Sequence, residues 1–417
     1  MTVDTAWNGD GSRLAAGPRP GAEGRPLAGL TILDLTQQVA GPYATRLLAA
    51  YGATVIKIER PGSGDPARAA GPFPGDVPHP ERSARFLYLN TGKQSVTLNL
   101  KSRAGRTLLL ELAERADALV ENFPPRVLPS LGLDWPVLHA VNPALVVVSI
   151  TDYGQTGPYR DFAGTNLTLF AAGGQMSLTG EPDREPLVNG GTQALLQAGL
   201  HGFSATLAAV YGAQTHGLGT WVDISIQEVQ TAALEGAGPN ALVNGMDATR
   251  AGNQPRATWG IYPCADGFVG CWCMDQNVPD LFRAIGRADL LDSPFRDQRW
   301  RGEHNEEVAT LLLGFFVEHT QAELRELGAR HRVAIGVMPA IDELLRWPGL
   351  LEKGFWQEVE HPEAGRLVHP GPPFRIDGGG FALAPAPLLG QHTEAVLCER
   401  LGLGAEEIAD LREHGVI

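Results

Sequence analysis

Short, uninterrupted apolar runs alternate with helix-patterned stretches along the first 235 residues, and this alternation constrains the fold more than any other feature. Residues 31–35 (TILDL) lead into a loop and helix in TQQVAGPYATRLLAAYGA, and residues 53–59 (ATVIKIE) are again β-branched. The pattern continues through a strand at 95–100, a helix at 105–116, a strand in DALVENF and another at 144–150 (ALVVVSI). Strand–helix–strand units of this kind build a parallel sheet with right-handed crossovers. Apolar runs without polar alternation mark strands covered on both faces. A long Ala-rich helix is expected over 192–213, ending near the breakers Gly217 and Gly219, before strand character resumes at 221–226. The reading is a doubly wound α/β domain to about residue 235. Beyond it, GIYPCADGFVGCWC (260–273) reads as a hairpin turning at Asp266-Gly267, followed by helices, which places a smaller α+β domain at 248–330. A further hairpin in GFWQEVEHPEAGRLVHPG and terminal helices follow. Residues 1–26 carry no periodicity and no apolar core of a secretory signal, and are expected to be a flexible leader.

The charge balance narrows the partners. With 33 Lys+Arg against 47 Asp+Glu, the net charge of −14 repels phosphate backbones, so no nucleic-acid partner is expected. No apolar run reaches the roughly 20 residues that cross a bilayer, so no membrane association is expected. Four cysteines in 417 residues make no disulfide framework, which points to the cytoplasm.

The motifs that would name a chemistry are mostly absent. The loop VAGPYAT opens a helix straight after a strand, a place where an anion docks, but G-x-G-x-x-G is missing. Glu59 sits near the position of a ribose-binding acid, yet Arg60 follows it, and packing accounts for it better; NAD is disfavoured. Cys264, Cys271 and Cys273 have a C-x6-C-x-C spacing that matches no compact zinc module, so they read as packing residues and no metal is expected. Neither G-x-S-x-G nor H-E-x-x-H occurs.

LAGLTILDLTQQVAGPYATRLLAAYGATVIKIERPGSGDPAR resembles the N-terminus of class III (CaiB/BaiF-type) CoA-transferases. The resemblance continues through NTGKQSVTLNLKSRAGR, DALVENFPPRVLPSLGLD, NPALVVVSITDYGQTGPYRD and GEPDREPLVNGG, and resumes at APAPLLGQHTEAVLCERLGL. It implies a Rossmann-like large domain (27–235, completed by 340–417), a small α+β domain, and two chains interlocked in a ring-like dimer. It implies coenzyme A or acyl-CoA as substrate and small carboxylic acids as co-substrates. Carried over position by position, the CoA contacts are Val39, Ala40, Arg60, Leu98, Lys101 and Asn122. Arg60 and Lys101 suit the 3′-phosphate and pyrophosphate of CoA. Ser130 stands where many members keep arginine, and Thr220 where they keep glutamine.

The resemblance also implies an aspartate nucleophile, four residues before a glycine after a P-x-V run. Here the run is Pro186-Leu187-Val188, and four before Gly199 is Leu195, with no gap in the spacing. The acid of the related racemase branch falls at Asn166, in Gly164-Thr165-Asn166. An alkyl group forms no anhydride, and an amide is a poor base. Asp161, Asp183 and Glu228 are nearby acids that read better as turn or surface residues. The expectation is a CoA-transferase subunit without its own catalytic Asp, resembling the silent half of a two-component enzyme such as benzylsuccinate CoA-transferase. A paralogous subunit would supply the acid, succinyl-CoA would donate, and an aromatic or dicarboxylic acid would accept. The alternatives are a stand-alone acyl-CoA isomerase, racemase or lyase, and a non-catalytic CoA-binding protein.

Overall fold

The computed structural model describes residues 25–376 and 383–417. Most of the expected leader therefore lies outside the described residues. The chain forms two compact units. The first takes the residues up to Gly173 together with Asn189–Ala233 and Glu352–Ile417, and the second takes Gly174–Val188 and Leu234–Leu351. The segment expected as a small domain, 248–330, falls inside the second unit.

Six parallel strands form the sheet of the first unit: β1 (Thr31–Asp34), β2 (Thr54–Glu59), β3 (Gln94–Thr97), β4 (Ala118–Glu121), β5 (Val146–Thr151) and β6 (Trp221–Ser225). Their spatial order is β3-β2-β1-β4-β5-β6. It reverses direction between β1 and β4, the arrangement of a Rossmann sheet. Every residue of β1, β4 and β5 is buried, which explains their continuous apolar runs, whereas edge strand β6 begins exposed. One face packs Leu33, Ile56, Leu119 and Val147 against Leu108, Leu109 and Leu112 of the helix Arg103–Ala113. The other meets the helix Ala40–Ala50 and the long helix Gln193–His216. The long helix comes close because its contact residues are glycines. A Cβ at Gly199 would stand 2.5 Å from Ala40 O, and one at Gly202 would stand 2.6 Å from Ile150 Cδ1.

The expected strand at 95–100 stops at Thr97. Leu98 N still donates to Glu59 O (2.9 Å), but Asn99 N donates to Val416 O (2.7 Å), so the chain's last turn takes over that ladder position. Thr97 N likewise donates to Thr393 Oγ1 (3.0 Å), and Val396 and Val416 lie in the same core as Leu33.

In the second unit β7 (Trp259–Cys264) and β8 (Gly267–Trp272) form the hairpin read from the sequence, and β9 (Ala334–Val337) adds antiparallel to β8. Its core holds Tyr262, Val269, Phe282 and Phe316 beside Cys264, Cys271 and Cys273. Burial pushes the thiols of Cys271 and Cys273 up to about 12, so they pack as neutral groups. Among the described residues no group of three or more His, Cys, Asp and Glu gathers to hold a metal, and no helix is long and apolar enough to cross a membrane.

The hairpin of β10 (Trp356–His361) and β11 (Gly365–Pro370) returns to the first unit. Arg46 reaches it, its Nη2 donating to Pro370 O at 2.9 Å. The hairpin buries His361 and His369, 2% and 8% exposed. Burial, then the Arg46 guanidinium, pushes His369 down to about 4; burial also lowers His361. An unfolded histidine titrates near 6.5. Between about pH 4 and 6.5 the unfolded chain therefore binds more protons, so stability rises with pH through that window and is lost as pH falls through it. Calorimetry is expected to show the unfolding midpoint dropping from about pH 7 to about pH 5, and His369→Gln is expected to flatten that slope.

Candidate functional site

The residues singled out by sequence sit on consecutive loops at the carboxyl edge of the sheet. Val39 and Ala40 follow β1, Arg60 follows β2, Leu98 and Lys101 follow β3, and Asn122 follows β4. The carboxyl edge at a strand-order reversal is where open α/β sheets hold ligands. Val39, Ala40 and Leu98 are buried, whereas Arg60 and Lys101 are exposed cations at the same edge.

Two loops are fastened together at the reversal itself. Gln37 N donates to Asn122 Oδ1 (2.7 Å), and Asn122 Nδ2 donates to Gln37 O (2.8 Å). Gln38, next in line, adopts a left-handed φ of +67°, a strained conformation for a non-glycine residue, and its N–H donates to Asp65 Oδ1 at 3.0 Å.

Beneath this loop lies a buried charge network. Asp34 accepts from Lys93 Nζ (2.9 Å), Thr45 Oγ1 (2.7 Å) and Thr36 N (2.9 Å). Lys57 Nζ donates to Thr36 O (2.7 Å) and pairs with Asp65 Oδ2 (2.9 Å). Glu59 binds Arg68 in bidentate fashion, both contacts at 2.8 Å, and accepts from Ser95 Oγ (2.6 Å). Glu59 is thus a structural acid. Burial opposes the charge on Asp34, but Lys93 and Lys57 outweigh it and hold the carboxyl near 2. Burial prevails at Lys93 and pushes it down to about 8.

Leu195 is the third residue of the long helix, half-buried, one turn before the glycine that touches Ala40 O. The position of the implied nucleophile therefore lies beside the first loop, on the helix face that approaches it. Asn166 caps the helix that carries Leu195. Its Oδ1 accepts from Ala194 N (3.0 Å) and its Nδ2 donates to Gly191 O (3.3 Å).

The other acids divide clearly. Asp161 is exposed and paired with Arg160 (3.3 Å), Asp183 is exposed in the second unit, and Glu228 is exposed on a helix after β6. Sequence reasoning passed over Asp152. It is half-buried at the end of β5, raised by burial against the opposing Gly164 N–H (2.7 Å), and lines a cavity of about 140 Å3 with Asn122, Arg126 and Arg160. Its place just past a buried strand was the available signal. Ser130 is exposed and donates to Val127 O (2.7 Å). Thr220 stands at the amino end of β6, the edge opposite these loops, so its departure from the family pattern does not bear on them.

The chain is similar to known proteins over most of its length. A family profile described as CoA-transferase family III matches residues 27–393. The chain is 32% identical to succinyl-CoA:glutarate CoA-transferase of Homo sapiens, covering 94% of this chain and 90% of that protein. It is 34% identical to succinyl-CoA–D-citramalate CoA-transferase of Chloroflexus aurantiacus, covering 94% and 98%. It is 31% identical to the BbsE subunit of succinyl-CoA:(R)-benzylsuccinate CoA-transferase of Thauera aromatica, covering 94% and 98%. The crystal structure of a CaiB/BaiF family protein from Brucella suis superposes with a TM-score of 0.79 at 28% identity, covering 91% of this chain and all of the other.

Asn122→Ala removes both bonds to Gln37. A loss of about 1–3 kcal/mol in stability is expected, with faster hydrogen exchange confined to the loop after β1. Unchanged exchange at Gln37 would show that Asn122 does not hold the loop.

Proposed function

Because the chain belongs to CoA-transferase family III, we propose that it is one subunit of an enzyme that moves CoA between carboxylic acids and that its own nucleophile is replaced by Leu195. A paralogous chain supplies the aspartate, and the two interlock as a dimer in the cytoplasm. Succinyl-CoA is the donor and an aromatic or dicarboxylic acid the acceptor. Three relatives named for succinyl-CoA, one of them named as a subunit, support this choice.

The observation that carries the reading is the side chain at the third position of the long helix. A carboxylate there would face the positive end of a 24-residue helix, which favours the anion. It would attack the thioester carbonyl; the C–S bond breaks, CoA leaves as thiolate, and a mixed anhydride remains on the enzyme. The thiolate then attacks the enzyme-side carbonyl of the anhydride, which releases the first acid and leaves an enzyme–CoA thioester. The incoming carboxylate expels the thiolate to form a second anhydride, and the thiolate takes the new acyl group and frees the aspartate. Leu195 can make no such bond. On this reading Val39, Ala40, Leu98 and Asn122 shape the CoA groove, and Arg60 and Lys101 meet its phosphates.

The test is purification with and without co-expressed paralogues. The isolated chain is expected to exchange no CoA between succinyl-CoA and glutarate or benzylsuccinate, and to carry no hydroxylamine-sensitive adduct. Activity is expected to appear with a partner bearing aspartate at the equivalent position. Leu195→Asp in the isolated chain is expected to raise exchange by about a hundredfold or more. An adduct on any acid of the unmodified chain, Asp152 included, would overturn the proposal. Rearrangement of an acyl-CoA without an acceptor acid would instead point to an isomerase, racemase or lyase.

A further inference from the structure

A second cavity, of about 290 Å3, opens where β4, β5 and β6 meet the segment 124–136. That volume sits at the lower end of small-molecule pockets, roughly 300–1,000 Å3. Its walls include the indoles of Trp135 and Trp221 and a row of prolines, and its polar groups are Glu121, Ser149, Asp134 and Gln155. No Lys or Arg is among them.

Glu121 is the unusual member. It is 2% exposed, one oxygen accepts from Phe123 N (2.7 Å), and no basic side chain pairs with it among the described residues. A buried carboxylate normally has a cationic partner, because desolvation otherwise neutralises it. The carboxyls of β1 and β2 obey that rule, with Lys93 on Asp34 and Arg68 on Glu59. Among the described residues, the neighbouring charge that acts on Glu121 is Asp223, of the same sign. Burial, with Asp223 adding to it against the Ser149 and Phe123 donors, pushes this carboxyl up to about 7. Ser149 also accepts from Trp221 Nε1 (3.1 Å), so the edge-strand indole is tied to the serine beside Glu121.

We infer that this cavity binds a compact organic ammonium ion, with Glu121 as its counter-ion and Trp135 and Trp221 as its aromatic walls. Indoles attract cations through the ring quadrupole, and a carboxylate inside a water-poor pocket strengthens that attraction. A carboxylate ligand, the substrate type at the carboxyl-edge loops, would be repelled by Glu121, Asp134 and Asp223. The inference does not depend on the reading of Leu195.

Benzylammonium, benzyl alcohol and benzoate, three ligands of similar shape and different charge, separate the possibilities. Each is titrated into the full chain while tryptophan fluorescence and heat are followed. Benzylammonium is expected to bind about tenfold or more tightly than the alcohol, and benzoate not at all. Glu121→Gln is expected to cost about tenfold or more in benzylammonium affinity. Should that variant fail to fold, Trp221→Leu at the half-exposed rim must weaken benzylammonium without affecting the alcohol to the same degree. Equal affinity for alcohol and ammonium, full affinity in Glu121→Gln, or no binding of the ammonium at millimolar concentration would each overturn the inference.

Discussion

The first unit depends on a set of charges that water never reaches. Asp34, Lys57, Glu59, Asp65, Arg68 and Lys93 lie beneath the carboxyl edge of β1–β3, each 4% exposed or less. Taken singly, any of them would destabilise the core by several kcal/mol, but together each charge has a partner at hydrogen-bond distance. Such a network has few alternative arrangements, since moving one member strands another. It grips the backbone of the loop after β1 at three points: Asp34 to Thr36 N, Lys57 to Thr36 O, Asp65 to Gln38 N. The strained loop after β1 is thus held from below by ions and from the side by Asn122.

That architecture was only partly legible in the sequence. The strands were legible because a strand covered on both faces must be apolar throughout, and ALVVVSI admits few other readings. The hairpin β7–β8 was legible from Asp266-Gly267, although the turn itself falls on Ala265 and Asp266 and Gly267 already pairs with Cys264 as the first residue of β8. The charge network was not, because a lysine or aspartate in a sequence reads as surface unless its partner is known, and Asp34 and Lys93 are 59 residues apart. The contribution of residues 174–188 to the second unit had no compositional mark either. Asp152 and Glu121 were passed over for a related reason: each became notable only when the walls around it were seen.

The candidate site shows the same division. Its loops could be named by motif, and they do lie along one edge of the sheet. What each side chain does needed coordinates. Asn122 emerges as a fastener of two loops, with both ends of its amide engaged on main chain. Asn166 emerges as a cap for the long helix, where donor and acceptor are both required and a carboxylate would offer only acceptors. The scaffold around Leu195 is therefore well determined even though the residue itself is chemically inert. Precise placement of that helix is set by glycine contacts and capping, neither of which requires a nucleophile.

The pairing of Asn99 with Val416 has a consequence for how the chain comes to be folded. The sheet begun at residue 31 closes its core only with residues from the last turn, after the whole second unit has been made. On a ribosome, the core that joins Leu33 and Leu108 stays incomplete until Val396 and Val416 emerge. Contacts spanning more than 300 residues make closure slow in comparison with local hairpins. A core left open for that interval is the condition in which chaperones are needed, and loss of the Val416 contacts would leave it open.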